Sequence, residues 1–213
     1  MKISRVVAWF SATVGCGLGV VAWSGESNPG KESKAADRPL CPVTGEPADL
    51  GVSIRTDEGP VFFCCSHCIG KYQADTDKHA PLVAEQRKVL AGLPKVQVTC
   101  PISGKSVDTK VSVEHQGRPV YFCCGQCPAK FQENPSTYRA NLANSYSYQT
   151  TCPVSGEEIN PKAFVELADG PKVFFCCDRC QEKFLTDPAK YADSLKAQGI
   201  RIEPGKVKKA EKR

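Results

Sequence analysis

Twelve of the cysteines in this chain of 213 residues recur as three sets of four, and they are the residues whose type and spacing could do chemistry. Each set begins with a Cys-Pro-x-(Thr/Ser)-Gly motif and ends with Cys-Cys-x-x-Cys, with 22, 22 and 23 residues between the first two cysteines. The sets are Cys41, Cys64, Cys65 and Cys68; Cys100, Cys123, Cys124 and Cys127; and Cys152, Cys176, Cys177 and Cys180. Thiolates bind soft metals, form disulfides and act as redox nucleophiles.

The same secondary structure is predicted around each set. A short strand of alternating hydrophobicity follows the Cys-Pro turn (Val52–Arg55, Val111–Glu114 and Phe164–Leu167). Gly and Pro then predict a turn into a Val-aromatic-Phe strand, which makes a β-hairpin. The Cys-x-x-Cys element opens a helix, and Asp187-Pro188 predicts the N-cap and first position of a second helix that ends near Gly199. Each repeat is therefore a hairpin with one or two short helices.

A repeat of about 50 residues buries too little apolar surface to be stable without a disulfide, a metal or a neighbour. The spacing favours a metal, because a hairpin brings the Cys-Pro turn back to a helix start, where backbone N–H groups favour thiolates. Four thiolates in a tetrahedron suit Zn²⁺, and two or three suit Cu(I). The expected cofactor is therefore Zn or Cu(I), and both remain open.

These residues resemble the TRASH/YHS group of heavy-metal-binding modules. The resemblance is carried by the Cys-x22-Cys-x3-Cys spacing, the Phe-Cys-Cys sequence, Lys-aromatic pairs such as Lys130-Phe131, and Asp-Pro-x-x-Tyr at Asp187. It implies a treble-clef-like fold and a role in heavy-metal trafficking, resistance or sensing. The fold class expected is α+β, with three tandem treble-clef-like modules at residues 40–92, 99–145 and 151–199.

The ligands within each Cys-Cys pair remain open. Adjacent side chains of an extended strand point to opposite faces, so both can reach one metal only if the chain bends. The family spacing favours Cys64, Cys123 and Cys176, whereas a Cys-x-x-Cys chelate favours Cys65, Cys124 and Cys177. We expect Cys41, Cys64, Cys68 and their counterparts to be ligands, with the second cysteine of each pair as the fourth. No histidine recurs across the repeats.

Two other functions compete with metal binding. An exported chain meets oxidising conditions, so the four cysteines of each repeat could form two disulfides in a structural or interaction protein. Cys-x-x-Cys at a strand-to-helix junction is also the layout of a thiol–disulfide oxidoreductase, although the repeats lack an alternating βαβ pattern. No arrangement of catalytic side chains recurs, and we expect the chain not to be an enzyme.

The net charge of +5 does not indicate nucleic acid as a partner. Residues 1–24 carry +2 and the basic tail 200–213 carries +4, which leaves −1 for residues 25–199. A near-neutral body has no basic surface for a phosphate backbone. The expected partners are metal ions and, through the N-terminal segment, a membrane.

The first 24 residues predict export. A basic start is followed by Val6–Trp23, which has no charged residue. This run favours a cleaved signal peptide, with an uncleaved membrane anchor and lipidation at Cys16 as alternatives. Residues 25–39 are expected to be a linker, and the protein is expected to be periplasmic or anchored on the extracytoplasmic side of the membrane.

Overall fold

Each of the three repeats forms a two-stranded hairpin followed by short helices, in a computed structural model that describes residues 38–167 and 171–207. The strands are β1 (Asp49–Thr56), β2 (Gly59–Phe63), β3 (Val96–Gln97), β4 (Asp108–His115), β5 (Arg118–Phe122), β6 (Tyr146–Ser147), β7 (Asn160–Glu166) and β8 (Lys172–Phe175). The antiparallel hairpins are β1–β2, β4–β5 and β7–β8. The prediction of mixed α+β structure with small sheets and short helices is confirmed.

The helices follow the cysteine pairs as predicted. They are α1 (Ser66–Ala74), α2 (Thr76–Gly92), α3 (Cys127–Glu133), α4 (Arg139–Ala143), α5 (Asp178–Thr186) and α6 (Ala192–Ala197). Short 3₁₀ turns at Pro135–Tyr138 and Ala189–Tyr191 precede α4 and α6. The second helix of repeat 3, predicted to begin at Asp187-Pro188, therefore starts as a 3₁₀ turn. In repeat 1 the second helix is a continuous α-helix of 17 residues, and Asp75 accepts a hydrogen bond from the Lys78 N–H at its start.

All three hairpins contain the same irregularity. In the first, Asp49 lies opposite Phe63, but the next paired residue, Ser53, lies opposite Phe62. Asp108 and Asn160 occupy the position of Asp49 in the other hairpins. Each of these side chains accepts a hydrogen bond from the backbone N–H two residues later. The bulge therefore bends the first strand beside the residue that immediately precedes each cysteine pair.

A small core fills each repeat and includes its first and last cysteines. In repeat 3, Phe175 and Phe184 are fully buried with Val173 and Leu195 around Cys152 and Cys180. Equivalent clusters surround the cysteines of the other two repeats. Each core is dominated by aromatic side chains of β2, β5 or β8 and of the helix that follows, so the strand and helix that carry the cysteines are held together by apolar contact.

Contacts between repeats place all the described residues in one compact unit. Strands β3 and β6, which lie between repeats, pair with each other. The Phe62 ring meets Tyr148 edge-on at 5.4 Å, and the Asn144 side chain donates a hydrogen bond to the carbonyl of Thr56. The Leu50 N–H donates to the carbonyl of Gly199, which joins repeat 1 to the end of repeat 3.

The predicted export segment, most of the linker and the end of the basic tail lie outside the described residues. Within residues 38–167 and 171–207, no helix has the length and hydrophobicity needed to cross a bilayer.

Candidate metal centres

One cysteine of the Cys-Pro turn and two of the Cys-Cys-x-x-Cys motif meet in every repeat. The three sulfurs of each group lie within 4.8 Å of one another. The groups are Cys41, Cys64 and Cys68; Cys100, Cys123 and Cys127; and Cys152, Cys176 and Cys180. The first and last cysteines are buried and the middle one is half-buried in each group. The fold thus repeats one three-thiol arrangement three times.

The second cysteine of each pair lies at the edge of this group. The Cys65 sulfur is 3.9 Å from that of Cys64 and 3.7 Å from that of Cys68, but it does not belong to the group of three sulfurs that converge. The same distances are 3.8 and 3.6 Å for Cys124, and 3.7 and 3.8 Å for Cys177. The chain bends at the pair before the helix starts, so adjacent cysteines face the same side. All three edge cysteines are exposed.

The sulfur separations can be compared with those required by a metal. Four sulfurs at a Zn–S distance of about 2.3 Å in a tetrahedron are separated by about 3.8 Å. Within the Cys-Cys-x-x-Cys motifs, the nine sulfur pairs lie between 3.5 and 3.9 Å apart. The three thiols of each motif therefore have the spacing of thiolates around one such metal, and the cysteine of the Cys-Pro turn lies within 4.8 Å of two of them. Thiolates are ligands that Zn²⁺ and Cu(I) prefer.

The Cys-Pro turn lowers the pKa of its cysteine. In repeat 1 the Cys41 N–H donates to the Glu46 carbonyl, and Gly45, with a φ of 75°, donates to the Cys41 carbonyl. Gly is needed there because other residues rarely adopt a positive φ. Burial of the Cys41 thiol opposes ionisation, but hydrogen bonds from the N–H of Cys64, the hydroxyl of Thr44 and neighbouring N–H groups lower its pKa to about 7. The pKa values of Cys100 and Cys152 are lowered to about 7 in the same way.

The remaining thiols differ by position. Burial and contact with Cys64 and Cys65 raise the pKa of the Cys68 thiol well above its ordinary value. Burial and neighbouring thiols raise the pKa of Cys180 to about 12. The pKa of the exposed Cys65 is instead lowered, chiefly by the backbone N–H of Cys68. In each group, therefore, the pKa of the first cysteine is lowered and that of the last cysteine is raised.

A hydroxyl group touches the middle sulfur of each site. The Ser103 oxygen lies 3.1 Å from the Cys123 sulfur, and the Ser155 oxygen lies 3.3 Å from Cys176. Thr44 occupies the same position at 3.4 Å from Cys64. The spacing of the cysteines did not indicate these residues, although a hydroxyl in the fourth position of every Cys-Pro motif was a signal for them. A hydroxyl can donate to a thiolate and reduce its negative charge.

The histidines are not part of the thiol groups. His67 is exposed, and His115 packs edge-on against Phe131 at 5.1 Å. His79 is buried and its Nδ1 lies 2.9 Å from the Pro42 carbonyl oxygen. Its ring centre is 6.1 Å from that of Tyr72, with the two rings tilted by 35°. Tyr138 and Tyr191 make the equivalent ring contact in the other repeats, so His79 packs in a tyrosine position.

The twelve cysteines in residues 38–167 and 171–207 are all free thiols.

The first site has an accessible side. Cys64 and Cys65 line a groove of about 630 Å³, whose other walls include Leu167, Pro171 and the C-terminal residues Arg201 and Ile202.

No protein-family model, curated protein or solved structure matches the chain.

Proposed function

We propose that this protein binds one thiophilic metal ion in each repeat, through Cys41, Cys64, Cys68 and their counterparts, with the second cysteine of each pair available as a fourth ligand, and that it is not an enzyme. The observation that carries the proposal is the threefold recurrence of one sulfur arrangement. In each copy the three sulfurs lie within 4.8 Å of one another, and the second and third are 3.5 to 3.7 Å apart. Disulfide formation needs sulfurs about 2 Å apart in pairs, and it gives no reason for three thiols to converge.

We propose further that the metal is exchanged rather than permanently held. A structural zinc site is closed by four buried ligands, whereas here the fourth thiol of every repeat is exposed at the edge of the group. An exposed thiol can leave the metal while the two buried and one half-buried thiols keep it, which opens a coordination position for an incoming thiolate. Zinc uses all four thiols, whereas Cu(I) needs only the inner three.

The proposal extends to the cellular setting. Residues 1–24 have the composition of an export segment, so we place the protein outside the cytoplasm, either released or anchored. The motif resemblance to TRASH/YHS modules supports a treble-clef-like architecture and heavy-metal trafficking. The thiol geometry supports metal binding at the same cysteines, and trafficking rests on the resemblance.

Metal analysis combined with thiol titration tests the proposal. Protein purified without oxygen is expected to hold about three equivalents of metal per chain, and Cys41→Ser is expected to remove about one. Cys16→Ser is the matched control, since Cys16 has no counterpart in the repeats, and it should leave the stoichiometry unchanged. Metal-free protein with its thiols oxidised in pairs would establish the disulfide alternative.

The choice of metal needs a competition experiment. Cu(I) that displaces zinc at one equivalent per repeat, with Cys65→Ser still binding Cu(I), supports exchange through the three inner thiols. Zinc that resists Cu(I) supports a closed structural site. Reduction of insulin disulfides that Cys68→Ser abolishes would instead favour the oxidoreductase alternative.

A further inference from the structure

A buried glutamine makes the same three hydrogen bonds beside every thiol group. Its side-chain oxygen accepts from the N–H of one strand residue, and its nitrogen donates to the carbonyl of that same residue. The nitrogen also donates to the carbonyl of the residue immediately before the first cysteine. The glutamines are Gln86, Gln97 and Gln149, which are 2, 5 and 1 % exposed.

The distances agree closely between repeats. Gln86 accepts from the Phe62 N–H at 3.0 Å and donates to the carbonyls of Phe62 at 2.8 Å and Leu40 at 2.6 Å. Gln97 accepts from the Tyr121 N–H at 2.9 Å and donates to the carbonyls of Tyr121 at 2.8 Å and Thr99 at 3.1 Å.

Gln149 makes the equivalent bonds in repeat 3. It accepts from the Phe174 N–H at 2.8 Å and donates to the carbonyls of Phe174 at 2.6 Å and Thr151 at 3.1 Å. In all three repeats the oxygen and both N–H groups of the amide are used, so its hydrogen-bonding capacity is filled as burial requires.

Two of the glutamines come from the chain before their cysteines, and the third comes from the chain after them. Gln97 and Gln149 stand three residues before Cys100 and Cys152, in the shared sequence Gln-x-Thr-Cys-Pro. In repeat 1 the corresponding residue is Arg38, which has donors but no acceptor. There the amide comes instead from Gln86 on α2, which follows the hairpin. Two different chain paths therefore bring a side-chain amide to the same position in the three repeats.

The amide joins the two parts of the backbone that carry the ligands. Leu40 is adjacent to Cys41, and Phe62 is two residues before Cys64. The Cys-Pro turn and the strand are distant in the sequence. The distance in space between their backbones determines how far the first sulfur lies from the other two. A side chain bonded to both backbones fixes that separation.

We propose that Gln86, Gln97 and Gln149 are positioning residues that set the distance between the first thiolate of each site and the cysteine pair. This inference rests on the proposed metal-binding function. Without the amide, both backbones lose buried hydrogen bonds and the Cys-Pro turn is free to shift, so the affinity and geometry of the metal site change.

The probe for the test is ¹¹³Cd²⁺ bound to the full chain, because its NMR shift reports the number and geometry of thiolate ligands. Cys100→Ser assigns the signal of repeat 2 among the three expected. Gln97→Leu removes all three hydrogen bonds. It is expected to move that signal and to weaken that site at least about tenfold, the equivalent of about 1.4 kcal/mol, while the other two signals stay in place. Gln97→Glu keeps the acceptor but turns a carboxylate oxygen toward the carbonyls of Thr99 and Tyr121, so it should move the signal at least as far as Gln97→Leu.

The control is Leu142→Ala, which removes a side chain that packs on the core of repeat 2 but leaves the amide intact. It is expected to lower the melting temperature without moving the cadmium signal. The inference is overturned if Gln97→Leu leaves the signal and affinity unchanged, or if Leu142→Ala moves the signal equally. If the unaltered chain binds no Cd²⁺ at all, the proposed function itself fails, and this result is distinct because it precedes any substitution.

Discussion

The hydroxyl oxygen of Ser103 lies 3.1 Å from the sulfur of Cys123. Ser103 belongs to the Cys-Pro motif and Cys123 to the Cys-Cys-x-x-Cys motif of the same site. The contact links the Cys-Pro turn to the cysteine pair through a side chain rather than through the metal. A hydroxyl that donates to a thiolate stabilises its negative charge, so it favours the ionised sulfur that a metal binds.

Replacement of this hydroxyl should weaken the second site selectively. Ser103→Ala is expected to lower metal affinity at that site by about 1–2 kcal/mol, because a hydrogen bond to a charged group contributes about this much. Competition titration with a chromophoric chelator measures it. Ser103→Thr is the matched control, since Thr44 holds the same position in repeat 1. Equal affinities for the Ala and Thr variants would show that the hydroxyl has no effect.

The exposed thiols should react first. In metal-free, reduced protein, Cys65, Cys124 and Cys177 are expected to be alkylated by iodoacetamide before the nine other cysteines of the repeats, because they are exposed and have lowered pKa values. Peptide mapping by mass spectrometry at short reaction times gives the order. Bound metal is expected to slow the reaction at all three. Equal labelling of Cys65 and the buried Cys68 would contradict the arrangement.

Removal of metal should destabilise the fold. Each repeat has a small core, so binding supplies part of its folding free energy, about 4 kcal/mol per site at free metal 1,000 times Kd. Addition of a strong chelator is therefore expected to lower the melting temperature measured by circular dichroism. A variant with serine at Cys41, Cys100 and Cys152 should respond little to the chelator. A chelator-independent melting temperature in the unaltered protein would mean that the metal has no structural contribution.

A buried carboxylate gives a prediction about pH. Burial raises the pKa of Asp49 in the folded chain, although hydrogen bonds from the N–H groups of Gly51 and Arg201 oppose this. Because the folded state holds the proton more tightly than the unfolded state, the stability that Asp49 contributes is present below its unfolded pKa of about 4 and is lost as pH rises through the folded value.

Asp49→Asn should remove this loss of stability at higher pH, because an amide does not ionise. The variant is therefore expected to be more stable than the unaltered chain at pH 7, and the difference in stability should be smaller at pH 4. Urea unfolding at the two pH values provides the comparison. Asn160 already occupies this position in repeat 3, so the fold accepts an amide there. Asp108→Asn is the control, because Asp108 has its pKa lowered by Lys162 and should lose stability at pH 7 instead. A variant at position 49 that is less stable at pH 7 would contradict the prediction.

The sequence could predict the hairpin, the following helix and the three sets of cysteines, because each depends on a short motif. Turn residues, alternating strands and the Cys-x-x-Cys element act locally, and their repetition made them visible. The direction of Cys65 could not be predicted, since it depends on a bend between the strand and α1. The amide of Gln86 could not be predicted either, because it comes from α2 and meets Leu40 only through tertiary packing.

The origin of Gln86 has a consequence for the order in which the repeats can be completed as the chain emerges from its N-terminal end. Gln97 and Gln149 precede their hairpins, so in repeats 2 and 3 the amide is already present when the second strand appears. Repeat 1 must wait until α2 has been synthesised, 22 residues beyond Cys64. The first set of thiols to emerge therefore stays unsupported, and open to premature oxidation, for longer than its own hairpin would require.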